Sequence, residues 1–322
     1  MWQDKRILLL GGTGFIGQHV LHVLREKKYM NLTVASRRVF SGSDSMKGVR
    51  FFSGIDVTRP ETLEPLIREA DIVLNLSGFV SFSRWHKKKL HEVNYQGALN
   101  ILQLCEKHSS SVQRLIHLGS TAGLGFGPED ITETNQFDWS KYPQLPYSYS
   151  KFRPISKIDT SSVPTNILYP SLVLGPGDEK STQKLFAHIR GKKKIFVPPG
   201  CNSYVDVRDL AEAIVLVLEK SPPKENYIVC SQTVSFSELF LRVSEVSGQK
   251  VRIKVLPDWL EKTIPLLARG AEFFAIPNVR YEQIFMGFQR RCHSNQKIRQ
   301  LGFSPQFSLF DSLKDSLSEK IG

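Results

Sequence analysis

The chain has 322 residues, 41% of them apolar, and a formal net charge of +12 from 43 lysines and arginines against 31 aspartates and glutamates. That length and apolar share suffice for one large core plus a smaller lobe, and they exclude collagen-like, coiled-coil and disordered chains. The positive balance invites nucleic acid or an anionic surface. The lysine runs at 87–89 and 192–194 nevertheless come with no stacking aromatic array and no recognisable nucleic-acid module, so they read as solvated faces and no nucleic-acid partner is expected. Cys105, Cys201, Cys230 and Cys292 form no CxxC pair and no zinc-like spacing, which argues against a disulfide framework and a metal and for a reducing, cytoplasmic compartment. No stretch is apolar over the length of a bilayer span, and residues 7–10 are too short for the apolar part of a signal peptide.

Along the chain, strands are expected at 6–10, 32–36, 49–52, 72–76 and 115–118, with helices at 15–26, 61–69 and 88–107 between them, and further strands at 166–169 and 227–229. Alternation of this kind predicts an α/β, Rossmann-type doubly wound parallel sheet whose ligand sits at the carboxyl ends of the strands. Gly42 to Asp44 read as a flexible surface loop. Beyond residue 178 the pattern becomes irregular, with Pro198-Pro199-Gly200, Pro222-Pro223 and Pro257 as loop markers. The expected division is therefore a Rossmann domain over 1–165 and, over 166–322, a smaller substrate-binding lobe interleaved with the last strands of the sheet.

The first strand runs into Gly11-Gly12-Thr13-Gly14-Phe15-Ile16-Gly17 at the start of the first helix. Glycines there allow the chain to reverse, let backbone approach a pyrophosphate, and bring free N–H groups at a helix N-terminus to its oxygens. The second strand ends in Ser36-Arg37-Arg38 and lacks the carboxylate that would bond a ribose 2′-hydroxyl. A guanidinium in that place, with Ser36 as an added donor, favours NADP(H) over NAD(H). Tyr147 and Lys151 stand four apart, on one helical face, where an ammonium is expected to pull a phenol from about 10 toward neutrality. Ser120 follows the fifth strand, at the sheet edge where a nicotinamide would lie.

Taken in order, these pieces resemble the extended short-chain dehydrogenase/reductase family over nearly the whole chain. They are joined by Asp56-Val57, Asn75-Leu76-Ser77-Gly78, Asn94-Tyr95-Gln96-Gly97, Gly119-Ser120-Thr121, Tyr169-Pro170-Ser171, Gly175-Pro176-Gly177 and Tyr204-Val205-Asp206-Val207-Arg208-Asp209. The resemblance implies that Tyr147 carries the proton, that Lys151 holds the nicotinamide ribose, and that Ser120 bonds the substrate oxygen, with Thr121 as the neighbouring hydroxyl. It further implies a cofactor held by Gly11, Thr13, Gly14, Phe15, Ile16 and Gly17, by Ser36 and Arg37, by Asp56 and Val57 at the adenine, by Leu76, Ser77, Gly78 and Asn94, and by Pro170 to Val173 at the nicotinamide. No metal is needed, and a homodimer through first-domain helices is a family-level expectation.

Within that family, the acidic pair of the dehydratases is missing after Ser120, and the asparagine of the sugar-nucleotide epimerases is missing after Tyr169. Both absences favour the dihydroflavonol reductase and 3β-hydroxysteroid dehydrogenase branch, which residues 170–178 also resemble. The expected function is an NAD(P)-dependent oxidoreductase interconverting a carbonyl and a secondary alcohol on a mostly apolar small molecule. A nucleotide-sugar epimerase using the same triad and a non-enzymatic NADP(H)-binding subunit are the alternatives. Phe79, Phe82 and Trp85 either line an apolar cleft or pack the core. Residues 256–286 form amphipathic helical material that caps a substrate, rests peripherally on a membrane, or simply packs the lobe. Pro154, three residues after Lys151, is expected to kink or end the helix that carries the pair.

Overall fold

Seven parallel strands make the central sheet of the computed structural model, which describes residues 2–38, 48–179, 181–277 and 279–318; the expected loop at Gly42 to Asp44 lies outside them. The strands are β1 (Ile7–Leu10), β2 (Leu32–Ala35), β3 (Val49–Phe52), β4 (Ile72–Asn75), β5 (Arg114–Leu118), β6 (Thr165–Pro170) and β10 (Tyr227–Val229), in the order β10-β6-β5-β4-β1-β2-β3. Residues in β1 and β4 are buried on both faces, so these strands read as apolar runs rather than alternating ones, β4 ending in the buried Asn75. Ile7 and Leu9 point into one core with α1 (Phe15–Glu26) and α8 (Val207–Lys220). Leu8 and Leu10 point into the other, with α2 (Pro60–Glu69) and α4 (Gly97–Lys107). The chain turns from β1 outward in both directions, and the crevice at that reversal is where such sheets take ligands.

Two departures from the expected elements bear on the site. The helix expected at 88–107 is three pieces: α3 (Lys87–Leu90), a wider π turn over His91–Gln96, and α4. The turn turns Asn94 inward, where its side chain bonds other segments. Pro154 does end the helix: α5 (Pro146–Phe152) stops before it, and α6 (Ile155–Asp159) restarts with Pro154 at its cap. Both Tyr147 and Lys151 precede the break.

Strands β6 and β10 complete the Rossmann sheet, while a second sheet gathers β7 (Leu172–Leu174), β9 (Cys201–Asp206), β11 (Gln232–Ser235) and β13 (Arg290–Arg291). Beside it β8 (Lys194–Val197) pairs with β12 (Arg252–Val255). Helices α7 (Ser181–Ile189), α9 (Phe236–Val246) and α13 (Leu309–Ser318) close a separate core around Tyr204 and Val234. The Tyr204 to Asp209 stretch is structural here. Asp206 caps α8 and grips Arg208, which reaches Asp315 on α13, and Asp209 accepts the backbone N–H groups of Gln306 and Phe307. Helices α10 (Thr263–Phe273) and α11 (Tyr281–Phe288) pack on one another, and α12 (Gln296–Leu301) lies against α8.

Candidate active site

Apart from Asn94 in the π turn and Tyr147 and Lys151 on α5, the segments expected to hold the cofactor follow the carboxyl ends of strands of the central sheet. The Gly11 to Gly17 turn follows β1, Ser36 and Arg37 follow β2, Asp56 and Val57 come after β3, Leu76 to Gly78 follow β4, and Ser171 to Val173 follow Pro170 at the end of β6. Gly11 sits at φ +84°, and a methyl group on it would lie 3.0 Å from the backbone nitrogen of Ser77, so the first and fourth loops touch only because glycine stands there. Helix α1 begins at Gly14 with no side-chain cap and no acid in its first turn, leaving its N-terminus electropositive. A phosphate fits such a helix end. At the other end of the crevice, the buried hydroxyl of Ser171 has no hydrogen-bond partner among the described residues, as befits a segment shaped to meet a polar group.

The catalytic candidates come together. The Tyr147 phenol is buried with the Ser120 hydroxyl near it, and that hydroxyl accepts the N–H of Ala122 at 3.2 Å. Lys151 is buried too, and its Nζ donates to the Leu118 carbonyl at 3.3 Å. A methyl group on Gly78 would stand 3.3 Å from that Nζ, so Gly78 leaves the lysine room at the loop. Burial pulls the Lys151 ammonium down to about 8. The Tyr147 phenol moves opposite to expectation. Burial pushes it up to about 12, the Ser120 hydroxyl works against the rise, and the charge of Glu282 adds to it. His117, under the site on β5, is driven down to about 3 by burial and then by Lys151, so it is neutral; its Nδ1 meets Asn75 Nδ2 at 2.9 Å.

Several expected roles change. Ser36 donates its hydroxyl proton to the Arg38 carbonyl at 2.7 Å, so it brings lone pairs and not the added donor. Arg37 and Arg38 are exposed beyond β2. Burial works to raise the Asp56 carboxyl, but the N–H and hydroxyl of Thr58, helped by Arg37 and Arg59, hold it below its ordinary range. Val57 is buried against Gly97. Asn94 accepts the Phe79 N–H at 2.8 Å and donates to the Phe79 carbonyl and the Ser150 hydroxyl, both at 2.9 Å. It thus ties the loop after β4 to the helix of Tyr147. Phe82 lies edge-on to the Tyr147 ring with centroids 5.2 Å apart, Phe79 packs toward the core, and Trp85 is exposed.

One residue of the site escaped the sequence altogether. Glu282, on α11, is buried and caps the N-terminus of α5: its Oε2 accepts the Tyr147 N–H at 2.9 Å, and its Oε1 accepts the Ser148 N–H at 2.8 Å and hydroxyl at 2.7 Å. Burial pushes this carboxyl up to about 7 against those three bonds, and Glu272 adds to the rise. No motif marks it, since it lies 135 residues from Tyr147; an acid inside an otherwise apolar helical stretch, Tyr281–Phe288, is its only local sign.

Comparison with known proteins agrees with this geometry. Residues 7–230 match the NAD dependent epimerase/dehydratase family. Short-chain dehydrogenase/reductase family 42E member 1 of Xenopus laevis is 23% identical over 339 residues, covering 94% of this chain and 85% of that protein. Anthocyanidin reductase of Arabidopsis thaliana is 23% identical over 271 residues, covering 73% and 78%. Among solved structures, the crystal structure of gox2253 superposes with a TM-score of 0.82 at 23% identity, covering 98% of this chain and 97% of that one.

Proposed function

Because this chain belongs to the NAD dependent epimerase/dehydratase family, we propose that it is an NADPH-preferring reductase that converts the carbonyl of a mostly apolar small molecule to a secondary alcohol. The observation that carries the reading is the buried Tyr147 and Lys151 gathered with the half-buried Ser120 at the carboxyl end of β5. The bound nicotinamide supplies the hydride. The Gly11 to Gly17 turn would take the pyrophosphate, Arg37 a ribose 2′-phosphate, Lys151 the nicotinamide ribose, and Pro170 to Val173 the nicotinamide itself.

Tyr147 does the proton chemistry. With its phenol held up to about 12, it stays protonated at neutral pH and is a proton donor to the oxygen of a carbonyl that is gaining a hydride. The Ser120 hydroxyl, near that phenol, would position the same oxygen. The protonated phenol is the form that reduction of a carbonyl requires. Phe82, edge-on to Tyr147, gives the substrate an apolar wall and supports an apolar substrate.

A second reading, a nucleotide-sugar epimerase, is favoured by one observation. Burial draws the Arg291 guanidinium, near Cys201 and Glu282, down to about 10, and its Nε has no partner among the described residues, which suits an anionic ligand. The two readings separate by experiment. With NADPH and a panel of apolar ketones and aldehydes, the protein is expected to turn over at least one, and Tyr147→Phe to abolish turnover while leaving cofactor fluorescence titration unchanged. Thermal stabilisation by UDP-glucose without any carbonyl turnover overturns the reductase reading in favour of the epimerase.

A further inference from the structure

Helix α10 presents its side chains the wrong way round for a surface helix. Its buried residues are Pro265, Ala268 and Glu272. The Glu272 carboxylate is tied down by the backbone N–H groups of Arg84 at 3.1 Å and Tyr281 at 3.2 Å. Toward solvent it turns Leu266 and Leu267 and, seven residues on, Phe273 and Phe274, exposed by 67, 67, 60 and 78%. An ordinary amphipathic helix does the opposite. Trp85, 62% exposed, is joined to this patch through Arg84, and Trp259 in the turn before α10 is 76% exposed. The Arg84 guanidinium bridges it, 5.3 Å from the Trp85 ring and 5.4 Å from that of Phe273. Two residues before Arg84 is Phe82, whose ring meets Tyr147. The patch is thus joined through Arg84 to the segment whose Phe82 ring meets Tyr147.

Cations surround it. Lys87, Lys88 and Lys89 follow Trp85 on α3, all exposed, and Lys262 and Arg269 flank the leucine pair. Opposing charge is sparse: Asp258 and Glu261 adjoin Trp259, Glu261 is bonded to Gln289, Glu92 stands 3.9 Å from Lys88, and Glu272 is buried. Large exposed apolar side chains with tryptophans and a basic rim match the boundary of a bilayer bearing anionic headgroups. They do not match a second copy of this chain, because a two-fold interface would set one basic rim against another.

We propose that this face docks on an anionic lipid surface, with the Leu266–Leu267 and Phe273–Phe274 pairs and both tryptophans in the headgroup boundary and the lysines and arginines against lipid phosphates. The docking stands on the surface alone. Its consequence, that an apolar carbonyl compound reaches Tyr147 from the lipid, rests on the reductase reading.

Co-flotation of the full chain with vesicles tests the docking. The protein is expected to float with phosphatidylcholine vesicles containing phosphatidylglycerol and not with pure phosphatidylcholine. The double variant Leu267→Ser/Phe274→Ser is expected to stay at the bottom of the gradient, and Lys262→Gln and Arg269→Gln each to reduce partitioning about five-fold. An unchanged cofactor fluorescence titration verifies that each variant is folded. Absence from anionic vesicles, equal flotation on neutral ones, or flotation of the double variant at the wild-type level overturns the proposal. So does light scattering that shows a dimer dissociated by Leu267→Ser/Phe274→Ser, which would assign the face to a second copy. Flotation with no carbonyl turnover removes the reductase reading and leaves the docking intact.

Discussion

Exchanging Glu282 for glutamine removes one ionisable group from beneath the helix of Tyr147 and nearly preserves its volume. The carboxyl, ordinarily at 4.5, is pushed up to about 7, chiefly by burial. A carboxyl with a higher value folded than unfolded keeps its proton in the folded state across the interval between them. Its contribution is fully present below the unfolded value and is lost as pH rises through the folded one. The interval from 4.5 to about 7 corresponds to about 3 kcal/mol at ~1.4 kcal/mol per pH unit. Urea unfolding of wild type and Glu282→Gln from pH 4.5 to 8.5 reads this directly. The stability of wild type minus that of the variant is expected to fall by about 3 kcal/mol toward the alkaline end. Contributions from other groups, such as Asp209, raised to about 6 by burial, cancel in that difference. Glu282→Ala, which strips the acceptors from two buried N–H groups and the Ser148 hydroxyl, is expected to cost on the order of 3–5 kcal/mol. Parallel stability curves for wild type and Glu282→Gln between pH 5 and 8 refute the linkage.

Two further outcomes test the cofactor side. Arg37→Ala is expected to weaken NADPH by about ten- to a hundred-fold, the loss of a charge-assisted bond, and NADH by less than about two-fold; equal losses on fluorescence titration would take Arg37 off the 2′-phosphate. Gly78→Ala places a methyl group 3.3 Å from Lys151 Nζ at an exposed position of ordinary φ, so both cofactors are expected to weaken by roughly ten-fold, about 1.4 kcal/mol, with little change in melting temperature. A large drop in melting temperature with unchanged affinity would mean that Gly78 serves the fold and not the site.

The parts of this molecule legible from its sequence are those set by local sterics. The strands β1, β4 and β5 announce themselves because a parallel strand buried on both faces is mostly apolar, with Asn75, Arg114 and His117 as the exceptions, and the Gly11 to Gly17 turn because close approach of backbone excludes a Cβ. The edge pieces of the second lobe carry no such mark: β13 has two residues, and β8 alternates buried with exposed. Helix α10 was legible as amphipathic but not in its orientation, since only the tertiary fold tells that Glu272, not Phe273, turns inward.

Tyr147 shows where the boundary lies. Spacing placed Tyr147 and Lys151 on one face of α5, and the fold buries both at the same site. Spacing says nothing of the surroundings. The ammonium was expected to lower the phenol, but Lys151 is itself buried, bonded to the Leu118 carbonyl and drawn down to about 8, while a carboxyl, Glu282, arrives from α11 at the opposite end of the helix. Burial acts on both members of the pair in opposite directions, raising the acid and lowering the base. A Tyr–Lys pair in this setting has its phenol protonated at neutral pH. That direction follows from solvent exclusion by segments distant in sequence, which no four-residue spacing encodes.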